Sequence, residues 1–159
     1  MEKVTTLSIE EIKDFTSKAF QYQKDKDQYI LNKDIKGVKD FTNCLFDNGF
    51  EVRDCYYNWG NEIMYEISEA IQDCKDIQEV QSEIEALEPD TEPDVYTSEL
   101  TNWLSSNIDH VYYLTEALEY GANDGFQLLQ QAQSLHIQEV KGLVKQSLLD
   151  YLEKITKDL

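Results

Sequence analysis

The sequence predicts a mainly α-helical protein with a small β-ribbon. Apolar residues recur every three or four positions through most of the 159-residue chain, as they do along one face of a helix. Only two short segments favour strands, and both prolines fall in one short stretch. The length fits one domain or two small halves that share a core, and 41% apolar residues suffice to bury one.

The first two elements are predicted as helices. Ser8 and Glu11 have the spacing of a capping box, and the apolar pattern behind them predicts a helix over 9–24. Asp34 is the predicted start of a second helix, and Gly49 follows its end. The apolar stripe of this second helix consists of Ile35, Val38, Phe41 and Leu45.

Residues 28–31 and 50–57 are the two predicted strands. The second segment is rich in β-branched and aromatic residues and alternates in part between apolar and polar residues. The two strands are expected to pair as a small ribbon. Because a two-stranded ribbon is marginal by itself, it must pack on the helices.

The segment from Asn61 to Pro89 has the clearest helical pattern, which predicts one long helix or two abutting helices. Pro89 and Pro93 then stiffen an acidic connector. This organisation predicts an N-terminal part over 1–88, a connector over 89–94 and a C-terminal helical part over 95–159, together forming one compact unit.

The C-terminal part is predicted to contain four helices. Ser98 begins the first, which runs to Leu104, and a second covers 111–118 and ends at Gly121. A third begins at Asn123 or Asp124 and uses Phe126, Leu129 and Ala132. The last helix uses Val140, Leu143, Val144, Leu148, Tyr151, Leu152 and Ile155.

Charge is strongly segregated along the chain. Residues 76–140 contain 14 acidic residues and no lysine or arginine. Residues 41–136 contain 20 acidic residues against Arg53 and Lys75, whereas the two ends of the chain are balanced. Such a field attracts a basic partner and repels nucleic acids and anionic membranes, so neither is expected as a direct partner.

Many of these carboxylates recur at helical spacing, which predicts a continuous acidic ridge beside the apolar stripe. A solvated helix face is the ordinary explanation of such a pattern. However, like charges at these spacings cost about 0.2–0.5 kcal/mol per pair, and a long base-free segment favours binding to a basic surface. The predicted partner-binding acids are Glu62, Glu66, Glu69, Asp73, Asp76, Glu79 and Glu83 in the helical segment, and Glu88, Asp90, Glu92 and Asp94 in the connector.

An aromatic segment, Tyr56-Tyr57-Asn58-Trp59-Gly60, is predicted to form a loop immediately before the acidic helix. Binding hot spots are commonly aromatic, so Tyr56, Tyr57 and Trp59 are candidate anchors for a partner. Packing in the core is the alternative role of these residues.

The sequence predicts no enzyme, no cofactor and no metal site. Asp90 begins an alternating acidic run, but Val95 and Thr101 stand where a calcium loop needs glycine and glutamate. His110 and His136 lack the companions of a zinc-binding helix. Three cysteines without C-x-x-C spacing, and no apolar run that approaches the ~20 residues of a membrane span, suggest a cytoplasmic protein.

The acidic helix over 62–83, the acidic connector over 88–94 and an AT-rich coding composition, with 13 lysines to one arginine, together resemble the type II-A anti-CRISPR proteins. These are small acidic inhibitors carried by phages and mobile elements. The resemblance implies an inhibitor that acts in a bacterial host cell on a CRISPR effector nuclease. It would compete with DNA in the basic channel or PAM-reading site, or hold a mobile nuclease domain away from its cleavage position.

Other functions remain open. An antirestriction DNA mimic would bind restriction or methylation enzymes. Duplex DNA carries one charge per ~1.7 Å, whereas the predicted ridge supplies one per roughly 4–5 Å of helix rise, so mimicry would need other elements or a dimer. A non-enzymatic acidic regulatory or assembly module is the alternative from another class. The oligomeric state stays open.

Overall fold

A computed structural model describes residues 6–52, 54–91 and 125–157 of the chain. It confirms a mainly helical protein with a two-stranded antiparallel sheet. The described elements are α1 (Ile9–Lys18), β1 (Phe20–Gln23), β2 (Gln28–Leu31), α2 (Val38–Asp47), α3 (Asp54–Ala70), α4 (Ile77–Ala86) and α5 (Gly125–Lys157).

The chain divides into two compact units. The first consists of Met1–Thr91 together with Val140–Leu159, and the second is Glu92–Glu139, of which the structure describes residues 125–139. The first boundary falls in the predicted connector. Residues 140–159, grouped by sequence with the C-terminal part, belong instead to the first unit. The helices predicted over 98–104 and 111–118 lie outside the described residues.

The capping box predicted for α1 is confirmed. The Ser8 hydroxyl accepts a hydrogen bond from the Glu11 backbone at 3.2 Å, and the Glu11 carboxylate accepts one from the Ser8 backbone at 3.1 Å. The predicted extension of this helix to residue 24 is wrong, because α1 ends at Lys18 and β1 follows. Strand pairing and burial of Phe20 outweigh the helical pattern there.

The ribbon contains the predicted strand over 28–31, but its predicted partner over 50–57 is wrong. β2 pairs with β1, in a register that sets Phe20 opposite Leu31 and Gln23 opposite Gln28. Asp27 closes the turn at φ 49°, a left-handed conformation that aspartate tolerates. Asp54 already begins α3, and from Tyr56 onward the apolar side chains of this segment are buried at helical spacing.

α2 begins at Val38 rather than at the predicted Asp34. Gly37, at φ 96°, precedes the helix, and this left-handed residue prevents a helix from continuing through it. The C-terminus agrees with the prediction, because Gly49 at φ 102° forms a Schellman motif. The Phe50 backbone donates to the Leu45 carbonyl at 2.9 Å, and this use of Phe50 in the cap removes it from any strand.

The segment from 61 to 88 forms two helices, which was one of the two predicted alternatives. α3 begins earlier than expected, at Asp54, and ends at Ala70. A connection over 71–76 leads to α4. The inner face of both helices is completely buried at Ile63, Ile67, Val80 and Ile84.

α5 is one 33-residue helix where two were predicted. No proline interrupts it, and its single interior glycine, Gly142, is exposed and tolerated. Its C-terminal half belongs to the first unit, where the Asn48 amide donates to Ser147 Oγ and to Asp150 Oδ2, both at 3.0 Å.

The core of the first unit is centred on Phe15. Its ring makes edge-on contacts with Phe41 at a centroid distance of 5.3 Å and with Tyr151 at 5.6 Å. Aromatic pairs in this geometry add about 0.5–1.5 kcal/mol to the stability gained by burial. These contacts hold α1, α2 and the end of α5 together. Cys44 and Cys74 are buried free thiols.

Candidate partner-binding surface

The carboxylates predicted to bind a partner lie along α3, α4 and the segment that follows. All of those within the described residues are exposed except Glu66, which is half-buried. Glu92 and Asp94 lie outside the described residues. We call the following set the acidic surface: Glu62, Glu66, Glu69, Asp73, Asp76, Glu79, Glu83, Glu88 and Asp90.

The acidic surface is not the continuous helical ridge that was predicted. The sequence periodicity continues from residue 62 to residue 83, but the helix is broken over 71–76. Asp73 and Asp76 therefore lie in the connection rather than on a helix face. The break ends at Asp76, whose side chain caps the backbone of the new helix.

Two of the predicted binding residues, Asp76 and Glu79, have a structural role at this break. The Asp76 carboxylate caps α4 by accepting a hydrogen bond from the Glu79 backbone at 2.8 Å. The Glu79 carboxylate in turn accepts one from the Lys75 backbone at 2.8 Å. Carboxylates at a helix N-terminus are also favoured by the helix dipole. This local stabilisation accounts for part of the acidity without any partner.

Four members of the acidic surface line one open groove between α3 and α4, with a volume of about 770 Å³. We call it the acidic groove. Cys74 lies at its base, and burial raises the pKa of this thiol, helped by the negative charges of Glu83 and Glu79. The groove is therefore a region of negative potential. Its acidic lining residues are Asp73, Asp76, Glu79 and Glu83.

Glu66 fixes the segment that follows α4 against α3. Its Oε1 accepts a hydrogen bond from the Asp90 backbone at 2.8 Å. Its Oε2 accepts from the Thr91 backbone at 3.1 Å and from the Thr91 hydroxyl at 2.6 Å. The segment at Asp90 is thus held close to the middle of α3, which sequence spacing did not predict.

A second concavity, of about 430 Å³, lies between the end of α1 and the middle of α3, and we call it the α1–α3 cleft. Glu62, Glu66 and Asp90 contribute to its wall. The acidic surface is consequently divided into two groups, one at this cleft and one at the acidic groove. Glu69 and Glu88 line neither of them.

The predicted aromatic anchors lie in α3 rather than in a loop, and two of them belong to the core. Tyr56 and Trp59 are only 4% and 7% exposed, whereas Tyr57 is half-buried. Phe50 contacts Tyr56 edge-on at a centroid distance of 5.3 Å and Tyr57 at 5.6 Å. This packing corresponds to the alternative role considered for these residues, and Tyr56 and Trp59 present little surface to a partner.

Sequence analysis missed an exposed aromatic residue on the acidic surface, Tyr65. It is 62% exposed, and interaction of its hydroxyl with the Glu69 carboxylate raises the pKa of the tyrosine. Its position could have been found from helical spacing. Tyr65 lies three residues after Glu62 and four before Glu69, on the acidic face rather than among the apolar residues.

Within residues 6–52, 54–91 and 125–157, no group of three or more His, Cys, Asp or Glu side chains is arranged to hold a metal ion. None of the helices described there is both long and apolar enough to cross a membrane. Comparisons with protein-family models, with curated proteins and with solved structures give no match to the chain.

Proposed function

We propose that this protein is an inhibitor that binds, through its acidic surface, a basic nucleic-acid-processing enzyme, foremost a type II CRISPR effector nuclease. The observation that carries the proposal is the density of exposed carboxylates on α3, α4 and the segment after α4. Residues 54–91 contain 11 acidic residues and a single base, Lys75. Capping by Asp76 and Glu79 explains only part of this charge.

Electrostatics determines which class of partner this surface fits. Enzymes that act on nucleic acids carry lysine and arginine grooves built for phosphates. A complementary carboxylate surface raises the rate of encounter with such a groove by one to three orders of magnitude at low salt. The target works in the cytoplasm of a bacterial host, where we place this protein as well.

The shape of the acidic surface bears on how inhibition would work. Seven of the nine carboxylates form two groups at a cleft and a groove, whereas a duplex presents charges evenly, one per ~1.7 Å. This arrangement supports contact with individual basic side chains beside the DNA channel more than imitation of a duplex along its length. We therefore do not propose the two alternative functions, an antirestriction DNA mimic and a non-enzymatic acidic regulatory module. The test distinguishes them from the proposed function.

The test measures target-DNA cleavage by a purified, guide-loaded type II effector nuclease at increasing concentrations of the protein, with a restriction endonuclease assayed in parallel. We expect cleavage by the CRISPR nuclease to stop at stoichiometric protein, and inhibition to weaken as salt is raised. Inhibition of the restriction enzyme alone would contradict the proposal and identify the protein as an antirestriction inhibitor. Binding to neither enzyme at low salt would refute the proposal.

A further inference from the structure

The α1–α3 cleft has an apolar floor. Phe20 and Met64, which are 6% and 2% exposed, contribute apolar side chains to its lining beside the buried Thr16. The three residues come from β1, α3 and α1, so the floor exists only when the ribbon and both helices are assembled. A floor of this kind can accommodate the aliphatic part of a long side chain.

The rim of the cleft is anionic on two sides. Glu62 lies on α3, and Asp90 is brought to the opposite side by the hydrogen bonds that its backbone and Thr91 donate to Glu66. Because the Glu66 carboxylate holds this segment, the rim is arranged before any partner arrives. Such preorganisation reduces the conformational entropy lost on binding.

The exposed ring of Tyr65 also lines the cleft. Tyr65 lies one helical turn before Glu69, whose carboxylate interacts with the tyrosine hydroxyl. A cation that enters the cleft would therefore meet an aromatic ring as well as carboxylates. A guanidinium group stacks on such rings and forms bidentate hydrogen bonds with carboxylates. An ammonium group stacks less well and cannot form the bidentate pair.

We propose that the α1–α3 cleft binds an arginine side chain of the partner protein. The methylene stem would pack on Phe20 and Met64, and the guanidinium would lie against Tyr65 between Glu62 and Asp90. This inference rests on the proposed function, because it assumes that the acidic surface meets a basic protein. It adds a defined anchor to that surface, in place of the aromatic anchors expected from sequence.

The test uses the full chain labelled with ¹³C at its methionine methyl groups. The sequence has two methionines, so the spectrum contains two methyl signals, of which that of Met64 reports from the lining of the cleft. Hexa-arginine is titrated in, and hexa-lysine of equal charge is the comparison peptide. Binding of each peptide is followed separately by fluorescence anisotropy.

We expect hexa-arginine to produce a saturable shift of the Met64 signal and hexa-lysine to bind several-fold more weakly. An unmoved Met64 signal with peptide bound by anisotropy would overturn the arginine cleft and leave the proposed function standing. Equal affinity and equal Met64 shifts for both peptides would overturn the preference for arginine. No binding of either peptide, together with no inhibition of a nuclease, would overturn both proposals.

Two tyrosine variants separate the cleft from general surface effects. Tyr65→Ala should weaken hexa-arginine binding about two- to five-fold, as expected for loss of a solvent-exposed cation–π contact. Tyr22→Ala is the matched control, because Tyr22 is also an exposed tyrosine whose hydroxyl interacts with an acidic residue, Asp27, but it lies on the ribbon outside the cleft. Equal effects of the two substitutions would overturn the proposal.

Discussion

Glu66 on α3 accepts two hydrogen bonds from Thr91, 25 residues further along the chain, one from its backbone at 3.1 Å and one from its hydroxyl at 2.6 Å. Thr91 is 8% exposed, so these groups have little access to water. One carboxylate of the acidic surface is therefore a structural residue. It determines where the segment after α4 lies and forms one side of the α1–α3 cleft.

Glu66→Ala should consequently destabilise the first unit. The substitution leaves the Thr91 N–H and hydroxyl without their acceptor, and a buried group in that state costs about 1–3 kcal/mol. Urea denaturation measures the change in the free energy of unfolding. Glu83→Ala removes the same charge from an exposed site on α4 and should change it by less than about 0.5 kcal/mol. Equal losses of unfolding free energy in the two variants would show that the removed charge, rather than the hydrogen bonds of Glu66, determines the change in stability.

The cap of α4 gives a prediction that separates charge from hydrogen bonding at Asp76. Asp76→Ala should lower the free energy of unfolding by about 1 kcal/mol, because the Glu79 backbone loses its acceptor. Asp76→Asn keeps an oxygen in the same place and should retain most of the stability. Thermal and urea unfolding of both variants provide the measurement. A similar loss in the two would contradict the cap as the main role of Asp76.

The same substitution at two helical glycines should have opposite effects. A Cβ at Gly60 would lie 2.7 Å from Phe20 Cζ, and Phe20 is buried, so Gly60→Ala should destabilise by about 1–3 kcal/mol. A Cβ at Gly142 meets no atom within 4 Å, so Gly142→Ala should stabilise α5 by about 0.5–1 kcal/mol. Phe20→Leu should reduce the cost at Gly60, as a double-mutant cycle would measure.

Tyr151 should make stability depend on alkaline pH. Burial, assisted by the nearby Asp40 charge, raises the pKa of Tyr151 above its ordinary value near 10. Above about pH 10 the unfolded chain releases this proton while the folded protein keeps it, so the stabilising contribution is complete below that pH and is lost as pH rises. Tyr151→Phe should flatten the fall in the free energy of unfolding between about pH 9 and 11. An unchanged slope would contradict this assignment.

The sequence predicted those elements whose signals are local. The capping box at Ser8, the glycine after α2, the strand over 28–31 and the buried face of α3 and α4 all depend on neighbours within a few residues. β1 could not be predicted in this way. Its first residue, Phe20, packs over Gly60, which lies 40 residues further along the chain. The residues of β1 are extended because they pair with β2, and local helical spacing does not show this pairing.

The candidate surface was predictable in its charge but not in its arrangement. Helical spacing correctly placed Glu69 and Glu83 on exposed faces. It could not show that Asp76 ends the periodic helix by capping a new one, because the spacing continues unbroken across the break. The α1–α3 cleft depends on the long-range hydrogen bonds of Glu66, and these arise only in the folded chain.

The central claim, that the acidic surface binds a basic partner, is tested most directly by the salt dependence of association with a guide-loaded type II effector nuclease. One variant neutralises four exposed carboxylates of the acidic surface that accept no hydrogen bond in the described part of the chain. A control variant removes the same charge elsewhere in the first unit. The surface variant carries Asp73→Asn, Glu83→Gln, Glu88→Gln and Asp90→Asn, and the control carries Glu10→Gln, Asp25→Asn, Asp34→Asn and Asp47→Asn.

The measurement compares the association rates of the wild type and the two variants with the nuclease, by stopped flow across a range of salt concentrations. For the wild type, we expect a rate that falls steeply with salt. The surface variant should associate about tenfold more slowly at low salt and with a flatter dependence, because the steering charges are lost. The control variant should remain within about twofold of the wild type. Equal slowing of both variants, or no association with the nuclease, would contradict the account.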